Sequence, residues 1–166
     1  MRKSLGPVLL LLLAAVLSSC GSSARAGEIT GSYTNAYDGY TIDVPLGWRV
    51  EPASVPGATA NLYSYPETGT VEPGSTITKI EIYVDPLPGP LSLRDALAFY
   101  PLAADVHVLR ERMLEIDGHP ALQQNLRTPG GANQMVSLVH DTKLITMLVY
   151  GDAQPVGATL ASLELD

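Results

Sequence analysis

The 166-residue chain has one cysteine, one tryptophan and one phenylalanine, and only 16% of its residues are charged. A single cysteine cannot close an intramolecular disulfide, so any folded domain must rest on its apolar core alone. Ten basic side chains are outnumbered by 17 acidic ones, for a net charge of −7. No basic stripe exists to displace counterions from a phosphate backbone, which excludes nucleic acid as a partner. The chain has no apolar run of bilayer length: Val8–Leu17 is about half of the roughly 20 residues a membrane-spanning helix needs. Catalytic signatures are missing too. No Gly-x-Ser-x-Gly elbow, no phosphate-cradling glycine loop before a helix and no His-x-His or His-x-x-x-His pair occurs.

The short apolar run nevertheless has a use. It follows Arg2-Lys3 and ends at Leu17-Ser18-Ser19-Cys20, the pattern of a lipobox. Residues 1–19 are therefore expected to be a cleaved signal peptide, with Cys20 as the acylated first residue of the mature protein. Each buried acyl methylene contributes about 0.8 kcal/mol, so two or more chains hold a protein durably where one does not. The expected location is the outer face of a bacterial cell membrane, or the outer membrane in a host with two, since no Asp follows Cys20. Residues 20–30 comprise this cysteine and a flexible Gly/Ser/Ala linker, whose seven residues Gly21–Gly27 reach about 25 Å when stretched. Residues 31–166 remain as one domain.

Within that domain, short apolar segments alternate with Gly and Pro punctuation. Tyr33–Tyr37 and Tyr40–Val44 flank Asp38-Gly39, the signature of a two-residue type I′ hairpin. Trp48–Val50, Asn61–Tyr65 and Thr78–Val84 read as further strands. The last places Ile80, Ile82 and Val84 on a buried face and Lys79, Glu81 and Tyr83 on a wet one. A helix is predicted after Ser92, which is placed to cap it, and Pro101 should end it. Strands follow at Val106–Ile116, with a bulge near Arg110 where the alternation slips, then Ala121–Arg127, Gln134–His140 and Leu144–Tyr150. The last is apolar nearly throughout, as a central strand covered on both faces would be. A short helix and a final strand close the chain from Gly157. The class is α+β on an antiparallel sheet.

Three segments resemble PsbP-type domains. Tyr37-Asp38-Gly39-Tyr40-Thr41-Ile42-Asp43-Val44-Pro45-Leu46-Gly47-Trp48 resembles the opening hairpin and Pro-x-Gly-Trp turn of that family. Ile116-Asp117-Gly118-His119-Pro120-Ala121 resembles its mid-domain turn into a strand, and Ala161-Ser162-Leu163 its closing segment. The likeness runs from Tyr33 to Leu163. It implies an α/β/α sandwich with a central antiparallel sheet, a fold shared by photosystem accessory proteins and by bacterial lipoproteins, including those of the LpqN type. It implies no catalysis. The long basic N-terminal extension by which plant PsbP docks on its photosystem is missing, so that partnership does not carry over.

For binding, the notable feature is eight tyrosines. Tyr63 and Tyr65 share one strand face, and Tyr33 and Tyr37 another, so these four form the expected binding surface, although half-buried strands favour tyrosine on packing grounds alone. Trp48 reads as a core plug. His107, His119 and His140 read as surface or turn histidines, and no metal or other cofactor is expected. The sequence thus points to a membrane-tethered, non-catalytic module that binds or assists another cell-envelope protein. Two alternatives stand beside this: a ligand-binding lipoprotein with a tyrosine-lined apolar pocket, and a hydrolase or metalloenzyme, which would need the histidines and carboxylates to converge.

Overall fold

The computed structural model describes residues 29–52, 58–64, 77–151 and 156–166. Residues 1–28, which include the expected signal peptide, Cys20 and most of the expected linker, lie outside the described residues, as does Tyr65. Strands β1 (Ile29–Asn35) and β2 (Tyr40–Pro45) pair antiparallel with Asn35 opposite Tyr40. Four residues connect them, not two. The Asn35 side-chain oxygen accepts the N–H groups of Tyr37 and Asp38 at 3.1 Å each, which bends the backbone away from the ladder at once. Only Gly39 takes a positive φ, at 75°, so the two-residue turn predicted at Asp38-Gly39 does not form here. It forms later, at Asp117-Gly118, where φ is 47° and 72° and Ile116 faces His119.

The larger sheet is built from β3 (Arg49–Pro52), β4 (Ala58–Tyr63), β5 (Lys79–Pro86), β6 (His107–Ile116), β7 (His119–Arg127), β8 (Ala132–His140) and β9 (Lys143–Tyr150). Its order is β3-β4-β5-β9-β8-β7-β6, antiparallel throughout. The chain leaves β5 in the middle and crosses to the far edge through helix α1 (Leu93–Phe99). Three hairpins then walk it back until β9 fills the slot beside β5. The ladder shifts register between Val108 and Arg110, where the sequence alternation slipped.

Helix α1 begins where Ser92, in extended conformation, accepts the Asp95 N–H on its hydroxyl at 3.2 Å. Pro101, two residues past Phe99, cannot continue it. After β9 come helix α2 (Gly157–Ala161) and strand β10 (Glu164–Leu165), which joins the free edge of β2 to complete a three-stranded sheet, β1-β2-β10. Here the Ser162 hydroxyl accepts the Asp43 N–H at 2.9 Å and donates to the Thr159 carbonyl at 2.8 Å, clamping the end of α2 to β2.

Alternation divides the residues of the large sheet between two faces. On one, Ile80, Ile82, Val136, Leu138, Ile145, Met147 and Val149 meet Tyr40 and Ile42 of the small sheet, Val156, Leu160 of α2 and Leu163. Each such side chain contributes about 1.5–3 kcal/mol on burial, and this cluster is the main core. On the other face Leu144 packs with Leu87 and Ala96 of α1. The class is α+β on an antiparallel sheet, and the described residues cover the two faces of the large sheet unequally. Over the main core lies a three-stranded sheet with a five-residue helix, and the seven-residue α1 covers only part of the opposite face.

Candidate functional site

The part of that opposite face left uncovered by the described residues is a cavity of about 400 Å³. Its floor is read directly from the register. Tyr83 of β5 lies opposite Thr146 of β9, which lies opposite Ser137 of β8. One row on, Leu148 lies opposite Met135. The Ser137 and Thr146 hydroxyls pair at 3.3 Å, so the polar atoms of the floor satisfy each other. Leu97 and Tyr100 from α1 and the following segment make one wall, and Thr128, Pro129 and Gly130 from the β7–β8 loop make another. The Tyr100 hydroxyl donates to the Pro86 carbonyl at 2.7 Å, pinning the helix end to the sheet.

At one end of the cavity stands a buried carboxylate network. Glu81, 2% exposed, accepts from the Tyr150 hydroxyl at 2.7 Å, the Tyr83 hydroxyl at 3.0 Å and the Lys79 ammonium at 2.6 Å. Burial acts to raise the Glu81 carboxyl, but the hydrogen bonds from Lys79, Tyr150 and Tyr83 outweigh it and hold the group below its ordinary value. The tyrosines move the other way. Burial, and then the Glu81 charge, push Tyr83 up to about 12 and Tyr150 well above the usual phenol range. Lys79 also sits 4.3 Å from the centroid of the Tyr150 ring. Alternation had put Lys79, Glu81 and Tyr83 on a wet face. The structure corrects this: Glu81 is buried, and its three donors replace the water it would otherwise need.

Toward α1 the cavity is bounded by Asp85, half-buried and with no hydrogen-bond or ion-pair partner among the described residues. Burial raises its carboxyl above the ordinary value. Asp105, exposed, lies on the rim.

Of the four tyrosines expected to form a binding surface, Tyr65 lies outside the described residues and the other three do not come together. Tyr33 packs against the main core with its ring 6.3 Å from that of Tyr40. Tyr37 lies beyond the end of β1, in the turn and 93% exposed, so it does not share a strand face with Tyr33. Tyr63 stands on the other sheet under the Arg49 guanidinium, 5.5 Å from its ring centroid. The cavity uses Tyr83, Tyr100 and Tyr150 instead. They come from three separate elements, so no local spacing groups them; the available signal was that the neighbours of an all-apolar central strand must also be covered on both faces. Trp48 packs against the core, as read from the sequence.

Two of the three histidines meet. The rings of His119 and His140 stand edge to face at 5.0 Å, with Nε2 of His119 3.4 Å from Nδ1 of His140. The other His140 nitrogen contacts the Asp166 backbone oxygen at 3.0 Å. His107 is at the far end of β6, nine residues or about 30 Å away along the strand. Among the described residues no group of three His, Cys, Asp or Glu side chains could hold a metal ion. Ser92 is a helix cap, Ser137 is floor, and Ser64, outside β4, accepts the Thr78 N–H at 2.8 Å.

No family model and no curated protein matches the sequence. Among solved structures, the chain is similar to the solution structure of cyanobacterial PsbP from Synechocystis sp. PCC 6803, with a TM-score of 0.57 at 15% identity over 90% of this chain and 99% of that one. A crystal structure from Bacteroides thetaiotaomicron matches at TM-score 0.43 and 10% identity, over 84% of this chain and 49% of the other. The fold is therefore PsbP-like, as the hairpin and turn motifs implied.

Proposed function

We propose that this chain is a non-catalytic binding module, tethered through acylated Cys20 to the outer face of a bacterial membrane, and that the cavity beside α1 is its ligand seat. The observation that carries the reading is a concave, mostly apolar space of about 400 Å³ with a few fixed polar groups, within the size range of small-molecule sites. The absence of catalysis is supported by where the candidate nucleophiles are spent: Ser92 on a cap and Ser137 on a hydroxyl partner. The tether is supported by the lipobox pattern at residues 17–20.

Replacing Leu148 with Trp puts an indole into the cavity from the floor. The neutral dye Nile red is expected to bind the wild type saturably at one site and to lose that binding in Leu148→Trp, with the melting transition preserved. A wild type that shows no saturable binding would overturn the ligand seat.

An envelope-protein partner is the second reading, favoured by β6. It ends the sheet order, and it carries Leu109 and Met113, each 61% exposed. In-cell crosslinking should recover a partner from wild type and lose it in Leu109→Lys; the same partner from both would reject this surface.

A further inference from the structure

The cavity has a charge preference that its apolar character hides. Resting on the ligand-seat reading above, we propose that it selects a molecule with an apolar body and a positively charged nitrogen head, with Asp85 as the counter-ion and the rings of Tyr83 and Tyr100 as the wall of the head-group site.

Four observations converge on this chemistry. The only charged side chains among the described lining residues are Asp85 and Asp105; no Lys, Arg or His joins them. Asp85 is half-buried and has no partner among the described residues, so its desolvation is uncompensated until a cation arrives. Near Asp85 the cavity is lined by Tyr83, two residues along β5, and Tyr100, bonded to the Pro86 carbonyl, and the negative face of such a ring attracts an ammonium. The protein already makes this contact once, by placing the Lys79 ammonium over Tyr150. That charge is matched by Glu81 and leaves the balance at the cavity negative. The floor supplies the rest of the match, since Leu148, Met135 and Leu126 offer an apolar bed, and a thioether adapts its shape to what lies on it. An anionic amphiphile would set its head against two carboxylates. A neutral one would leave Asp85 as it is now.

Three probes of equal chain length separate these cases: octyltrimethylammonium, octanol and octanoate, each titrated calorimetrically into the folded protein near neutral pH. Octyltrimethylammonium is expected to bind about tenfold more tightly than octanol, and octanoate most weakly. In Asp85→Asn the ammonium probe should lose most of its advantage over octanol, while octanol itself is unchanged. Asp105→Asn, on the exposed rim, should cost the ammonium probe only about twofold, and it serves as the test if Asp85→Asn fails to melt cooperatively. Equal binding of octanol and the ammonium probe, or tightest binding of octanoate, would overturn the charge preference while leaving the ligand seat standing. Silence from all three, together with no saturable Nile red binding, would remove both.

Discussion

At the scale of single residues, the side chain with the largest consequences is Glu81. A carboxylate 2% exposed is tolerable only because three donors face it, and two of those donors are the tyrosines that wall the cavity. Glu81→Gln is expected to cost about 2 kcal/mol of stability, read from urea midpoints near neutral pH. Because the folded Glu81 sits below its ordinary value of 4.5, its contribution is present above that value and lost as pH falls through the folded value. The gap between wild type and Glu81→Gln should therefore close in acid. Tyr83 acts on the alkaline side. Raised from 10.0 to about 12, it contributes fully below 10 and loses its contribution as pH rises toward 12. Asp85 is the opposite case, a group the fold disfavours when ionised. Asp85→Asn should raise the urea midpoint slightly at neutral pH, and the rise should vanish below 3.8, where the wild type is protonated folded and unfolded alike. A midpoint that drops at neutral pH would show that Asp85 already has a partner.

At the scale of elements, the most sensitive junction is the exit from β9. Gly151 holds φ at 81°, and a Cβ built there would lie 2.1 Å from the Ile77 carbonyl oxygen. Backbone cannot yield as a side chain end does. Gly151→Ala should cost about 3 kcal/mol, combining left-handed backbone strain with overpacking, and a melting temperature within one or two degrees of wild type would refute the close approach. Loss of the α1 cap in Ser92→Ala is expected to cost about 1 kcal/mol by chemical denaturation. These local devices are also what made the fold readable. The β9 run Leu144–Tyr150 announced a central strand, the slip at Arg110 announced the bulge, and Ser92 announced a helix start, because each is set by neighbours within a few residues. The cavity was not readable. Tyr83, Tyr100 and Tyr150 are brought together by a crossover that sends β6 to the far edge and returns β9 beside β5, and the alternation in β5 marks Glu81 as wet because it cannot see the donors that cover it. The first hairpin failed for a nearer reason: the Asn35 side chain competes with the ladder and ends β1 before Tyr37.

For the molecule as a whole, the proposed tether supplies an address and the proposed ligand seat an action. An acidic domain gains nothing from anionic headgroups, so the membrane location proposed above would have to come from acylation of Cys20. A palmitate analogue should label the wild type and leave Cys20→Ser unlabelled, and the variant should shift from the membrane fraction to the soluble one. The action rests on the cavity being occupied in the cell. Native mass spectrometry of the full-length protein released gently from host envelopes reads this directly. The wild type should carry an added mass of roughly a few hundred daltons, as suits a drug-sized site, and Leu148→Trp should not. Two bare masses, or the same added mass on both, would contradict the account.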